Sequence, residues 1–213
     1  MIKIENKEVY GFKTAIRGMR NSWNSWDKSD SYPGGIGPDD YKLMKELAKS
    51  GSSHAKYRRM IVVYADVTAP LYWWKEMDTY KVGTVCNSCS TMHTLASKEF
   101  VLDDFSHEHL THFVSGGELC RDWIGDLEDL VDELNFARKL YLETKDKKYW
   151  WQMIQLLPTS YNQKRTLMLN YEILSNIYHS RKNHKLDEWI EFCKWIEELP
   201  YSKLITLEDT KND

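Results

Sequence analysis

The stretch Leu157-Pro158-Thr159-Ser160-Tyr161-Asn162-Gln163-Lys164-Arg165-Thr166-Leu167-Met168-Leu169-Asn170-Tyr171-Glu172-Ile173-Leu174-Ser175-Asn176-Ile177-Tyr178-His179-Ser180-Arg181 changes its hydrophobic period halfway along. Gln163–Leu169 alternates in part and predicts a short strand; Leu169–Ser180 carries its apolar residues at helical spacing. An Asn at such a junction, here Asn170, suits an N-cap, because its side-chain oxygen can accept one of the helix's unsatisfied N–H groups.

Outward from this junction the pattern continues. Leu186–Leu199 predicts a further helix, ended at Pro200. Leu204, Ile205 and Leu207 are placed to pack, and Glu208–Asp213 reads as a flexible polar tail. Upstream, Asp122–Thr144 predicts a long amphipathic helix with Trp123, Leu127, Leu130, Leu134, Ala137 and Tyr141 on one stripe. Arg59–Thr68 is β-branched and apolar, a strand that ends at Ala69-Pro70 before a Trp-rich helix. Gly37-Pro38-Asp39-Asp40 starts another helix, which Gly51 closes. The segment between Asn21 and Gly37 reads as a loop whose Trp23 and Trp26 are expected to fold back onto the core. With no repeat, low-complexity tract or linker, residues 1–207 read as a single α+β domain.

Composition narrows the function. The 213 residues carry 29 Lys+Arg against 32 Asp+Glu, a net charge of -3, which argues against duplex nucleic acid as a partner gripped by bulk charge. Only 10 Gly and 5 Pro favour a helix-rich chain over a turn-dense sandwich. Nine Trp and 13 Tyr against 6 Phe make an unusual aromatic set, suited to interfaces or flat ligands as well as to a core. The N-terminus lacks an export signal and no apolar run spans a bilayer, so a cytoplasmic protein without a membrane partner is expected. Cys86, Cys89, Cys120 and Cys193 then read as thiols or ligands instead of disulfides.

No Gly-rich dinucleotide fingerprint, phosphate loop, nucleophile elbow or His-Glu-x-x-His is present. Cys86-Asn87-Ser88-Cys89, with His93 and the His107, His109 and His112 cluster, contains zinc-type donors. The second half lacks paired spacing, so zinc is not expected, and the two thiols read as small residues packed beside a helix start. Basic clusters at Lys56–Arg59, Lys164-Arg165 and Arg181–Lys185 could grip phosphate oxygens if the fold converged them, or simply face solvent.

The quoted stretch resembles the flavin-dependent thymidylate synthases: a Leu-Pro, a strand, an Asn, then a helix with a second Asn and an Arg. The N-terminal half is similar too, from Thr14-Ala15-Ile16-Arg17 through the strand ending at Val67, Ala69-Pro70 and the aromatic helix; residues 94–122 match poorly. The family's signature, R-H-R-x-x-S-x-N-E-x-S-x-R, falls on Tyr80–Met92. Asn87 and Ser90 keep its Asn and second Ser. Its Arg, His, Arg, Glu and final Arg become Tyr80, Lys81, Val82, Ser88 and Met92; a one-residue slip would set Lys81 on the second Arg. Lost guanidiniums forfeit charge-assisted hydrogen bonds of roughly 1.5–3 kcal/mol each, which weakens a dUMP site unless Lys81 or the Lys56–Arg59 cluster compensates.

The resemblance implies an α+β fold, an antiparallel sheet flanked by long helices, assembled as a homotetramer. It implies that Arg181 meets the pyrimidine or helps activate it, that Asn170 and Asn176 line a flavin pocket, and that Lys81, Asn87, Ser88 and Ser90 contact the substrate. Asn170 and Asn176 read equally well as polar residues kept for the fold. Three functions follow: binding of a nucleotide-type ligand with the catalytic signature largely lost; methyl transfer with FAD to a pyrimidine nucleotide such as dUMP; and a zinc-stapled interaction protein. In the first, Trp73, Trp74, Trp23 and Trp26 would give the altered pocket an aromatic lining.

Overall fold

The computed structural model describes residues 2–207; the tail expected at 208–213 lies outside them. Six strands form among the described residues: β1 (Lys3–Tyr10), β2 (Val62–Pro70), β3 (Val85–Ser88), β4 (His112–Ser115), β5 (Glu118–Asp122) and β6 (Asn162–Asn170). Nine α-helices accompany them among the described residues: α1 (Phe12–Met19), α2 (Pro38–Lys49), α3 (Leu71–Met77), α4 (Thr91–Thr94), α5 (Trp123–Thr144), α6 (Lys147–Leu156), α7 (Tyr171–Arg181), α8 (Asp187–Glu197) and α9 (Lys203–Thr206). The antiparallel main sheet has the order β1-β2-β6-β3, and β4 with β5 makes a separate hairpin. The expected α+β class holds.

The chain forms two compact units. The first comprises residues 2–3, 68–77 and 88–165. Its core is Leu95, Phe100 and Phe105 against Leu127, Val131, Leu134 and Ala137 of α5 and Met153 of α6. Asp122 caps α5 by accepting the Gly125 N–H, so the long helix begins where its acidic residue can satisfy an orphan donor. The hairpin turns through Gly116 and Gly117 at φ 62° and 84°, a left-handed pair that side chains disfavour.

The second unit comprises residues 4–67, 78–87 and 166–207. Val63, Ala65 and Val67 alternate inward along β2. Tyr171, Ile173, Leu174 and Ile177 of α7 are buried, as are Trp189, Phe192 and Ile196 of α8 and Leu204 and Ile205 of α9. The Tyr171 N–H donates to Ile61 O at 3.1 Å, tying the start of α7 to the chain just before β2.

Strands β1, β3, β4 and β5 and helices α1, α4, α6 and α9 are not among the elements expected from the sequence. Lys3–Tyr10 and Glu118–Asp122 are charge-rich, and β4 and β5 are exposed throughout, so neither carries a one-sided apolar alternation. The buried fate expected for Trp23 and Trp26 is overturned: they are 87% and 50% exposed on short 3-10 turns.

Candidate functional site

Helix α7 positions the residues singled out in the second unit. Asn170 is its N-cap, with Oδ1 accepting the Ile173 N–H at 3.0 Å. Its Nδ2 makes no hydrogen bond among the described residues and faces Gly83. A Cβ built on Gly83 would lie 3.4 Å from Nδ2 and 3.0 Å from Ile173 Cδ1, and Gly83 has φ +76°. The left-handed backbone favours glycine there, and a Cβ would crowd Ile173 Cδ1.

At the other end of α7, the Arg181 Nε donates to the Tyr80 hydroxyl at 3.0 Å. The guanidinium lies 4.8 Å from the Trp189 ring centroid and 5.7 Å from that of Tyr80, and the two rings meet edge-to-face at 6.1 Å. Two aromatic faces thus hold a half-buried cation by quadrupole attraction and a directed hydrogen bond. Helical geometry separates Asn170 and Arg181 by about 16 Å of rise but only about 20° of rotation, so they share one face. Asn176 stands about 120° away from Asn170 around the axis, and its side chain is exposed. The two asparagines therefore stand on different faces of α7.

Lys81 and Asn87 are exposed, Lys81 in the turn before β3 and Asn87 on it. Ser88 and Ser90 belong to the first unit. Ser88 is exposed, and the Ser90 carbonyl accepts the Thr94 N–H and hydroxyl at the start of α4. Of the Lys56–Arg59 cluster, Arg58 is only 3% exposed, and its Nε and Nη2 find no partner among the described residues. Arg59 Nη2 lies 3.6 Å from Glu172 Oε1, while Glu172 Oε2 is buried without a partner. Buried charge in this state is costly in a finished structure.

In the first unit, Trp73 and Trp74 are buried, and Trp74 Nε1 donates to Gln163 O at 2.9 Å while the Arg165 guanidinium lies 4.2 Å from its ring centroid. They are core and strand-facing residues, so the aromatic pocket lining expected of them is corrected. The packed reading of Cys86 and Cys89 is also overturned, since both are exposed. Cys89 Sγ lies 3.6 Å from Thr94 Oγ1 beside a 260 Å³ cleft that also holds Lys98, Asp104 and Gln163. Among the described residues no group of three or more His, Cys, Asp or Glu could hold a metal ion, and no helix is long and apolar enough to cross a membrane. His107 Nδ1 is 2.9 Å from Phe105 O, a local contact.

Sequence reading missed Tyr80, Trp189 and Gly83 as partners of the α7 face. Only the place of Tyr80 on the first signature position hinted at it, because Tyr80 and Arg181 lie 101 positions apart and such a pair leaves no spacing signal.

Together these elements define the fold of the flavin-dependent thymidylate synthases. The structure of thymidylate synthase X from Helicobacter pylori, solved with FAD and dUMP, matches 97% of this chain and 98% of its own at a TM-score of 0.70 and 18% identity. A UMP/dUMP methylase, PolB from Streptomyces cacaoi, bound with 5-Br dUMP, matches 95% of this chain and 93% of its own at 0.62 and 14%. At these identities the likeness is one of fold. No family model matches the sequence, and no curated protein matches it.

Proposed function

We propose that this protein binds a nucleotide-type ligand, a pyrimidine nucleotide such as dUMP, on the α7 face that carries Asn170 and Arg181. The observation that carries the reading is the Arg181 guanidinium held between Tyr80 and Trp189, in a fold shared with proteins solved with dUMP or 5-Br dUMP. A planar cation fixed by two rings suits recognition of a carbonyl-bearing ring or a phosphate. Lys81 replaces a signature cation as a phosphate contact. The unspent N–H groups of Arg58 add donors that an anion would satisfy.

A second reading, methyl transfer to such a nucleotide with a folate as the one-carbon donor and reduced FAD as the electron source, is favoured by the likeness to a methylase. Asn170 Nδ2 beside Gly83 and Arg181 some 16 Å along the helix fit a ligand as long as a flavin dinucleotide, with Asn170 and Arg181 as the residues that would hold it. When bound, FAD supplies the electron-transfer chemistry. Arg181 would orient the pyrimidine and Asn170 would donate from Nδ2, its Oδ1 being committed to the helix. The zinc-stapled alternative has no donor set among the described residues. Assembly into a homotetramer in the cytoplasm belongs to the same proposal; exposed Phe113, Val114 and Leu119 on the β4–β5 hairpin are apolar surface that a partner copy would cover.

Thermal shift and calorimetry with dUMP, UMP and FAD test the reading. Stabilisation by dUMP that Arg181→Ala abolishes is expected; no shift with any of the three at saturating concentration overturns it.

A further inference from the structure

A cavity of about 510 Å³ opens in the second unit, between α1, the loop that follows it, and Tyr201. Phe12, Trp26, Tyr32 and Tyr201 supply aromatic walls, and no carboxylate lines it. Lys13 and Arg17 lie one turn apart on α1 and flank it. Among the described residues neither has a carboxylate partner, whereas Arg20, the third cation in the lining, is saturated. Arg20 Nε and Nη2 both lie 2.7 Å from Asp40 Oδ1, and Nη1 donates to Ser25 O at 3.3 Å. The charge left over in the cavity is therefore positive and comes from Lys13 and Arg17.

The loop is built rather than loose. Asp40 Oδ2 accepts from the hydroxyls of Ser29 and Ser31 at 2.6 and 2.7 Å and from the Ser31 N–H at 3.2 Å. Tyr32-Pro33-Gly34-Gly35 makes a turn with Pro second and Gly34 third at φ +96°, closed by Gly35 N–H to Tyr32 O at 3.1 Å. A Cβ on Gly35 would strike the Tyr32 ring at 2.5 Å, so glycine is what lets that ring fold over the turn. The Ile36 N–H donates to the Tyr201 hydroxyl at 3.0 Å, fixing one aromatic wall to the loop. Trp26 is held by its indole N–H on Asn21 Oδ1 at 2.9 Å. Two of the exposed or part-exposed rings, Trp26 and Tyr201, are thus held by hydrogen bonds on a loop organised by the buried Asp40 carboxylate, and a surface so pre-organised binds at lower entropic cost than a mobile one.

We propose that this cavity binds a planar aromatic ring carrying a carboxylate or phosphate. The ring lies among Trp26, Tyr32 and Tyr201, and the anion meets Lys13 and Arg17. None of the lining residues belongs to α7, and the proposal stands whether or not that helix binds a nucleotide.

Calorimetric titration of the full chain with 1-naphthoate, 1-naphthyl phosphate and the neutral 1-naphthalenemethanol tests it. At least one anion should bind tenfold or more tightly than the neutral probe, and which one does so separates the carboxylate from the phosphate. The exposed double change Lys13→Gln with Arg17→Gln should erase that preference, and Trp26→Ala should weaken the preferred anion about tenfold. Equal binding of neutral and charged probes, no binding by any of them, or affinities unmoved by the Lys13/Arg17 change overturns the proposal. Should Trp26→Ala fail to fold, the double change is sufficient by itself to decide between these outcomes.

Discussion

Arg181 donates from Nε to the hydroxyl of Tyr80 at 3.0 Å across 101 residues of sequence, and its guanidinium lies 4.8 Å from the Trp189 ring centroid. Arg181→Lys keeps a charge but loses the fork and the flat stacking surface. Both Arg181→Lys and Arg181→Ala should weaken dUMP by roughly ten- to a hundredfold, the value of a charge-assisted contact of about 1.5–3 kcal/mol. Tyr80→Phe should weaken it less, because the ring remains. Titration calorimetry of the three variants orders them; Arg181→Ala binding as the parent does refutes the assignment.

Asn170 has two separable duties. Asn170→Ala should cost about 1 kcal/mol through the lost cap. Asn170→Ser should retain most of that stability, since its hydroxyl also caps, yet remove the Nδ2 donor beside Gly83. If ligand binding uses Nδ2, the serine variant melts near the parent temperature and binds FAD or dUMP more weakly. Unchanged affinity would leave Asn170 a cap alone.

Gly83→Ala forces a Cβ to 3.0 Å from Ile173 Cδ1 at a φ of +76°. A loss of about 1 kcal/mol or more is expected in urea unfolding. Gly51 also has positive φ, but nothing lies within 4 Å of its Cβ position, so Gly51→Ala should cost less.

Burial alone would raise the Asp40 carboxyl, but hydrogen bonds from Ser29, Ser31 and Arg20 outweigh it and hold its pKa below the ordinary value. A folded pKa below the unfolded one gives stability that is complete above about pH 3.9 and is lost as pH falls through the folded value. Asp40→Asn leaves Arg20 buried without its counter-charge, so it should cost about 3–5 kcal/mol at pH 7. That gap should narrow in acid as the parent's carboxylate is protonated. A gap independent of pH would show that shape, not charge, fixes the loop.

Burial pushes the Cys193 thiol up to about 11, whereas Cys86, Cys89 and Cys120 are exposed. Native protein at pH 8 should therefore alkylate at the exposed thiols and spare Cys193 until it unfolds. Peptide mapping after iodoacetamide reads this directly.

How far the sequence could be read depended on whether a residue's partners were local. The β6–α7 junction was legible because the period change and the Asn170 cap lie within a few positions; the ends found lie within two residues of those expected. Helix α5 was legible from its stripe. Tyr80 beside Arg181 was not, because contact between residues 101 positions apart leaves no periodic trace; Trp189, only eight positions on, lies beyond the turn between α7 and α8, where helical spacing no longer carries. The loop after α1 was misjudged for a related reason. Its tryptophans suggested burial by hydrophobicity alone, while the loop is organised by the Asp40 carboxylate, which pattern reading treats as a helix-start residue.

Helix α7 also acts as a spacer. With Asn170 and Arg181 at its two ends on one face, a molecule no longer than a single base touches only one of them. Two short molecules could occupy the ends together without competing, while one extended molecule would exclude both. Pairwise competition among ligands of graded length would thus measure the helix as a ruler, with mutual exclusion beginning as their reach approaches about 16 Å.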